Sequence, residues 1–162
     1  MKKVLISIIL VLLPFTSISA ELAIVDIDYL IKVSKKGKNI QKDLKVKNDK
    51  VFEDFSLKEK KLKEREDNIK SKKNVLSESD YKKEVSKFTD DVKKYNINKK
   101  KTIGALNKEK NQKIAELLKE INSILIEYSK KNDISTLLDK KNVIITKSEN
   151  DITQKILKIL DN

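Results

Sequence analysis

The chain has 162 residues, 37 Lys or Arg against 25 Asp or Glu, and a formal net charge of +12. It contains no Cys and no His, which excludes Cys- or His-based zinc sites, thiol nucleophiles, imidazole bases and a disulfide-stapled scaffold. Charged residues reach 38% against a typical quarter, and hydrophobic residues stop at 38%, so an elongated helical protein fits better than one thick core.

The first element is an expected secretory signal peptide at residues 1–20. Met1-Lys2-Lys3 is a cationic start, Val4 to Leu13 is apolar except for Ser7, and small residues lead to Ala20. The apolar run is half the roughly 20 residues that a membrane-spanning helix needs. No Cys follows it, so a lipoprotein is not expected. Without these residues 142 remain, with a charge of +10 and no proline, since Pro14 is the only one.

Three short segments near the two ends read as strands: Leu22 to Ile27, Asp133 to Leu138 and Val143 to Thr146, all rich in branched or apolar residues. Between them, residues 32–131 read as helix and carry 30 Lys or Arg against 17 acidic residues, a net of +13. The flanks, 21–31 and 132–162, hold 5 Lys and 8 acidic residues, a net of −3. A basic arm bracketed by mildly acidic ends is the expected organisation.

Within the arm Phe55, Leu62, Ile69 and Leu76 recur every seven residues, and Tyr81, Val85, Phe88, Val92 and Tyr95 alternate steps of four and three. These are coiled-coil seams. The companion seam of the first run is Val51, then Lys58, Arg65 and Lys72. Ser77-Glu78-Ser79-Asp80 offers hydroxyl and carboxylate caps for a second helix, which places the tip of a helical hairpin near residues 77–80.

Antiparallel partners must sum to a constant, and pairing Leu76 with Tyr81 sets it at 157. Ile69 then meets Phe88, Leu62 meets Tyr95, Val51 meets Leu106 and Ile40 meets Leu117, while Phe55 meets only Thr102. Half the seam is apolar, and cationic stems cover the rest. A first helix from Ser34 to Leu76 would span roughly 65 Å. Farther on, Ile114, Leu117, Leu118, Ile121, Ile124, Leu125 and Tyr128 form a face broader than one partner helix covers, which calls for a sheet or further subunits.

Three features together resemble the Skp/OmpH family of periplasmic chaperones. They are Leu22-Ala23-Ile24-Val25-Asp26 after an export signal, a Lys-rich hairpin with Leu76-Ser77 at its tip, and the run from Asp151 to Leu160. The resemblance implies a mostly α, α+β fold, with a long antiparallel coiled-coil hairpin projecting from a small β body that trimerises. It implies a body of residues 21–31 and 132–162, an arm of residues 32–131, and a periplasmic, ATP-independent holdase for unfolded outer-membrane proteins. Trimer contacts are expected at Ile24, Val25, Ile121, Ile124, Val143 and Ile145. Diffuse client contacts are expected on the arm surface at Lys60, Lys73, Lys83 and Lys94.

No Gly-rich phosphate loop is present, consistent with a protein that uses no ATP, and no residue constellation makes an active site, so neither a cofactor nor enzymatic activity is expected. Asp26 and Asp28 could form a carboxylate pair, but structural roles fit better, and Asp151 reads as the cap of the last helix. The scarcity of Arg, with Arg65 alone, leaves a lipopolysaccharide site proposed for the family without matching residues, so contact with lipopolysaccharide or anionic lipid stays open. The alternative is a basic coiled coil that binds nucleic acid or another anionic surface. The export signal and the absence of Arg clusters weigh against nucleic acid as the physiological partner.

Overall fold

The computed structural model describes residues 21–162, so the expected signal peptide lies outside the described residues. In chain order the elements are β1 (Glu21–Val25), α1 (Ile27–Val33), α2 (Lys35–Ser71), α3 (Glu78–Lys131), β2 (Ile134–Asp139) and α4 (Thr153–Leu160). Short 3-10 turns lie at Lys140–Asn142 and Ser148–Asn150.

The two strands pair in parallel, with Ala23 beside Leu137 and Val25 beside Asp139. A parallel pair needs a crossover, and here the crossover is the whole hairpin. The expected strand at Val143 to Thr146 does not form within the chain. A strand needs a ladder partner, and the second edge of β1 is met instead by Asp151, with the Ile152 N–H donating to the Ile24 carbonyl at 2.9 Å. Ile144 and Ile145 consequently stand in solvent, 98% and 88% exposed.

The first expected strand also ends earlier than Ile27. Asp26 caps α1 by accepting the Tyr29 N–H at 2.8 Å, which turns the chain into a helix that the sequence pattern does not announce. Ser34, fully buried, then caps α2 by accepting the Gly37 N–H. α1 folds back so closely on α2 that a Cβ at Gly37 would overlap the Ile31 carbonyl oxygen. Only glycine permits that crossing. The C-terminus closes the joint, since the Lys35 N–H donates to Asp161 Oδ1 and Lys35 Nζ donates to the Asp161 carbonyl, both at 2.8 Å.

α2 and α3 extend for 37 and 54 residues, roughly 55 and 80 Å at 1.5 Å per residue. Nothing interrupts them, because the described residues contain no proline and only two glycines. α2 stops at Ser71, five residues short of Leu76, where the amides of Lys72 and Lys73 bond three residues back. The tip is therefore residues 72–77, just before the expected position, and Leu76 lies in the turn. Ser77 caps α3 as its sequence suggested, accepting the Asp80 N–H at 3.1 Å. Val85, opposite Lys72 in the expected register, is 37% exposed. α3 ends at Lys131 and is capped by Asn132, followed by Asp133 at φ 53, a left-handed stop that a short polar side chain tolerates.

Four inter-helix ion pairs, Lys36–Glu120, Asp43–Lys113, Lys47–Glu109 and Arg65–Asp91, each sum to 156, and Glu59–Lys99 sums to 158. The register from the seams, 157, is within one residue of all of them. Phe55 departs from its expected partner: its ring packs edge-on against Tyr95, with centroids 6.2 Å apart, and Lys99 lies over it.

The body core joins Ala23, Val25, Leu30, Leu117, Ile121, Leu125, Ile152, Ile156 and Leu160. Leu117, Ile121 and Leu125 of the broad face of α3 are covered by α1, α4 and the sheet of the same chain, while Ile114, Leu118, Ile124 and Tyr128 on that face stay half-buried. Of the residues expected at a subunit interface, Ile24, Val25 and Ile121 are 0–1% exposed and packed inside their own chain. Ile124 and Val143 are half-buried and Ile145 is exposed.

Candidate functional site

The carboxylates that could have suggested chemistry are engaged in structure. Asp151 accepts the Thr153 N–H and hydroxyl and pairs with Lys140 Nζ at 2.8 Å, and Thr153 Oγ1 in turn accepts the Asp26 N–H. Partial burial pushes the Asp151 carboxyl up, but Lys140 and Thr153 outweigh it and hold the group below its ordinary range. Asp26 and Asp151 thereby fasten the first strand to the last helix.

The candidate surface is on the arm, where α2 and α3 hold together by a thin seam. Phe55 and Ile69 are buried in it, while Leu62, Tyr81, Phe88 and Tyr95 are only half-covered. At mid-arm, Glu59 accepts hydrogen bonds from Lys99 Nζ and the Tyr95 hydroxyl, both at 2.6 Å. Lys99 also lies 5.5 Å from the Phe55 ring and 5.8 Å from the Tyr95 ring. Phe52 meets Phe55 edge-on at 6.5 Å and remains 57% exposed.

Beside this cluster lies a shallow groove of about 450 Å³ whose lining includes Leu62, Tyr95, Lys58, Lys61 and Lys94. Its origin is legible in the seam. Lys58 and Arg65 stand at heptad positions that an apolar side chain would fill; Arg65 instead pairs with Asp91 at 2.5 Å, and a gap remains. A second recess, about 410 Å³, is lined at the tip by Val75, Leu76, Lys83 and Lys87 among others. Of the expected client-contact residues, Lys94 lines the first recess and Lys83 the second. Lys60 is exposed on α2 and Lys73 sits in the tip turn, and neither lines these two recesses. Leu62, Tyr95, Lys58 and Lys61 line the first recess without having been among the expected residues, and Lys58 and Arg65 in the companion seam were the signal for that recess.

The carboxyl of Glu59 is lowered from 4.5 by the hydrogen bond from Lys99, then by Tyr95, and that of Glu109 by Lys47. A lowered folded-state value adds stability that is complete above the unfolded value and disappears as pH falls through the folded one. Thermal midpoints followed by circular dichroism should therefore stay level from neutral pH down to about 5, then fall below about 4.5 as these inter-helix pairs protonate. The drop should be small, since exposed pairs contribute little. A midpoint that rises on acidification would contradict the pairing.

Comparison with known proteins agrees with this architecture. Among curated proteins, none matches the sequence. The family model "Outer membrane protein (OmpH-like)" matches residues 21–160. The fold superposes with a TM-score of 0.80 on the crystal structure of a candidate outer membrane chaperone (OmpH-like) from Caulobacter crescentus CB15. The match covers 87% of this chain and 83% of that one at 16% sequence identity, a likeness of fold. The chain belongs to the OmpH-like outer membrane protein family, the Skp/OmpH family that its sequence resembles.

Proposed function

We propose that this protein is a periplasmic, ATP-independent holdase that works as a trimer and shields unfolded outer-membrane proteins between its arms. The observation that carries the reading is the arm itself: a hairpin with a net charge of +13, a half-filled seam, and apolar recesses rimmed by lysine. Such a surface attracts an acidic unfolded chain at long range and then holds it by many weak contacts. Lys60, Lys73, Lys83 and Lys94 contribute to the attraction. Asp26 and Asp151 are occupied in fastening the body, which supports an activity of binding rather than catalysis.

Trimer formation is supported by the exposed Ile144-Ile145 segment and by Ile124 and Val143. The outer edge of β2 carries no strand among the described residues. An extended segment rich in branched residues is suited to pair with such an edge on a neighbour. Ile144 and Ile145 thus join Val143 as the proposed contact, in place of the buried Ile24, Val25 and Ile121.

The test is dilution of a urea-unfolded outer-membrane β-barrel protein into low-salt buffer with the chain starting at Glu21, followed by light scattering. Aggregation should be suppressed at one trimer per client. Association should slow when salt rises to about 0.5 M, which cuts the Debye length from roughly 10 Å at 0.1 M to less than half. The variant with Lys60, Lys73, Lys83 and Lys94 changed to Glu should also associate more slowly, with helix content unchanged. Unsuppressed aggregation by the wild type in low salt would overturn the holdase reading, and a monomer in sedimentation equilibrium at micromolar concentration would overturn the trimer.

A further inference from the structure

We infer that the mid-arm groove at Leu62 and Tyr95 is a discrete side-chain site for an aromatic residue flanked by carboxylates in an extended client segment. The inference rests on the holdase reading and gives its surface a location and a chemical preference. Leu62 and Tyr95 provide an apolar floor, and a volume of about 450 Å³ admits a single large side chain. The stems of Lys58, Lys61 and Lys94 provide walls that are apolar along the chain and cationic at the end. None of these three lysines pairs with a carboxylate among the described residues, so the rim has uncompensated positive charge beside an apolar floor. An aromatic ring satisfies both parts, through contact with the Tyr95 ring and through its π face toward an ammonium. Neighbouring carboxylates then meet the remaining lysines.

The arm already uses this chemistry internally, where Lys99 lies over the Phe55 and Tyr95 rings while bonding to Glu59. Outer-membrane strands supply the complementary pattern, with alternating lipid-facing and polar residues and aromatic girdles at both interfaces. The groove is shallow, so one site binds weakly. Retention comes from several such contacts on linked arms.

The protein contains no Trp, so the fluorescence of a tryptophan peptide reports binding without background. A short peptide with the sequence Ser-Glu-Trp-Glu-Ser should show a saturable blue shift on titration with the chain from Glu21 to Asn162. A Ser-Lys-Trp-Lys-Ser peptide should bind at least about tenfold more weakly. Asn98 also lines the groove and is exposed, so Asn98→Phe fills it from that wall, and Lys94→Glu reverses one rim charge. Each should weaken the acidic peptide by roughly fivefold or more with an unchanged circular dichroism spectrum. The site is overturned if the acidic peptide gives no shift at millimolar concentration, if both peptides bind alike, or if neither variant weakens binding. Aggregation assays on the same wild-type samples separate the failures. Suppression without peptide preference removes the groove alone, whereas loss of suppression removes the holdase reading beneath it.

Discussion

Truncating Ile121 to alanine should destabilise the body by about 2–5 kcal/mol, the range for large-to-small changes at fully buried sites. Ile121 is 0% exposed and belongs to the cluster that β1, α1, α3 and α4 share. The cavity would open among elements from distant parts of the sequence, and none can close it by a local shift. Urea unfolding followed by circular dichroism should show the loss. Ile144→Ala, at a position 98% exposed, should leave the unfolding of the isolated subunit unchanged within about 0.5 kcal/mol. A loss below about 1 kcal/mol for Ile121→Ala would mean that the body is not organised around α3.

The two glycines should respond to alanine with opposite signs. At Gly104 a new Cβ meets nothing within 4 Å, so Gly104→Ala should stabilise the arm by about 0.5–1 kcal/mol through helix propensity. At Gly37 the same methyl overlaps the Ile31 carbonyl oxygen and lies 3.0 Å from Ser34 Oγ. Backbone cannot yield as a flexible side chain does, so Gly37→Ala should cost about 1–3 kcal/mol despite the propensity gain. The change also loosens the joint between arm and body, because α1 must move away from α2 and the Ser34 cap moves with it. Urea midpoints of the two variants on either side of the wild type are the expected result. Midpoints shifted in the same direction would rule out the close crossing of α1 and α2.

The arm was legible in the sequence because its rules are local and periodic. Seven-residue spacing from Phe55 to Leu76, the hydroxyl of Ser77 and the absence of helix breakers determine a hairpin, and matching seams gave its register to within one residue. The body was legible only in part. Branched and apolar runs near the ends promised strands, yet whether a run becomes a strand depends on an edge elsewhere in the chain, which is why β2 forms and Val143 to Thr146 does not. α1 was missed because Asp26 and Ser34 act as caps only once the chain turns at them. The mid-arm groove was missed for another reason. Lys58 and Arg65 mark a gap in the seam, but whether that gap closes depends on how far Arg65 swings toward Asp91.

The parallel pairing of β1 with β2 also governs the order in which the chain can fold. Glu21 and Ile134 are register partners 113 positions apart, so no segment synthesised early can complete the sheet. The hairpin shortens that separation. Once α2 and α3 are zipped as far as Ile40 and Leu117, the remaining loose path is 19 positions on one side and 17 on the other. Closing a loop of this length rather than the full one lowers the entropic cost by roughly 1 kcal/mol. The hairpin zips outward from its tip, where the partners are close in sequence and each step adds only a short closure, and the sheet follows on the ends that it brings together. The arm is a folding template for the body as well as its appendage, and any change that frays the zipper near Ile40 delays closure of the sheet.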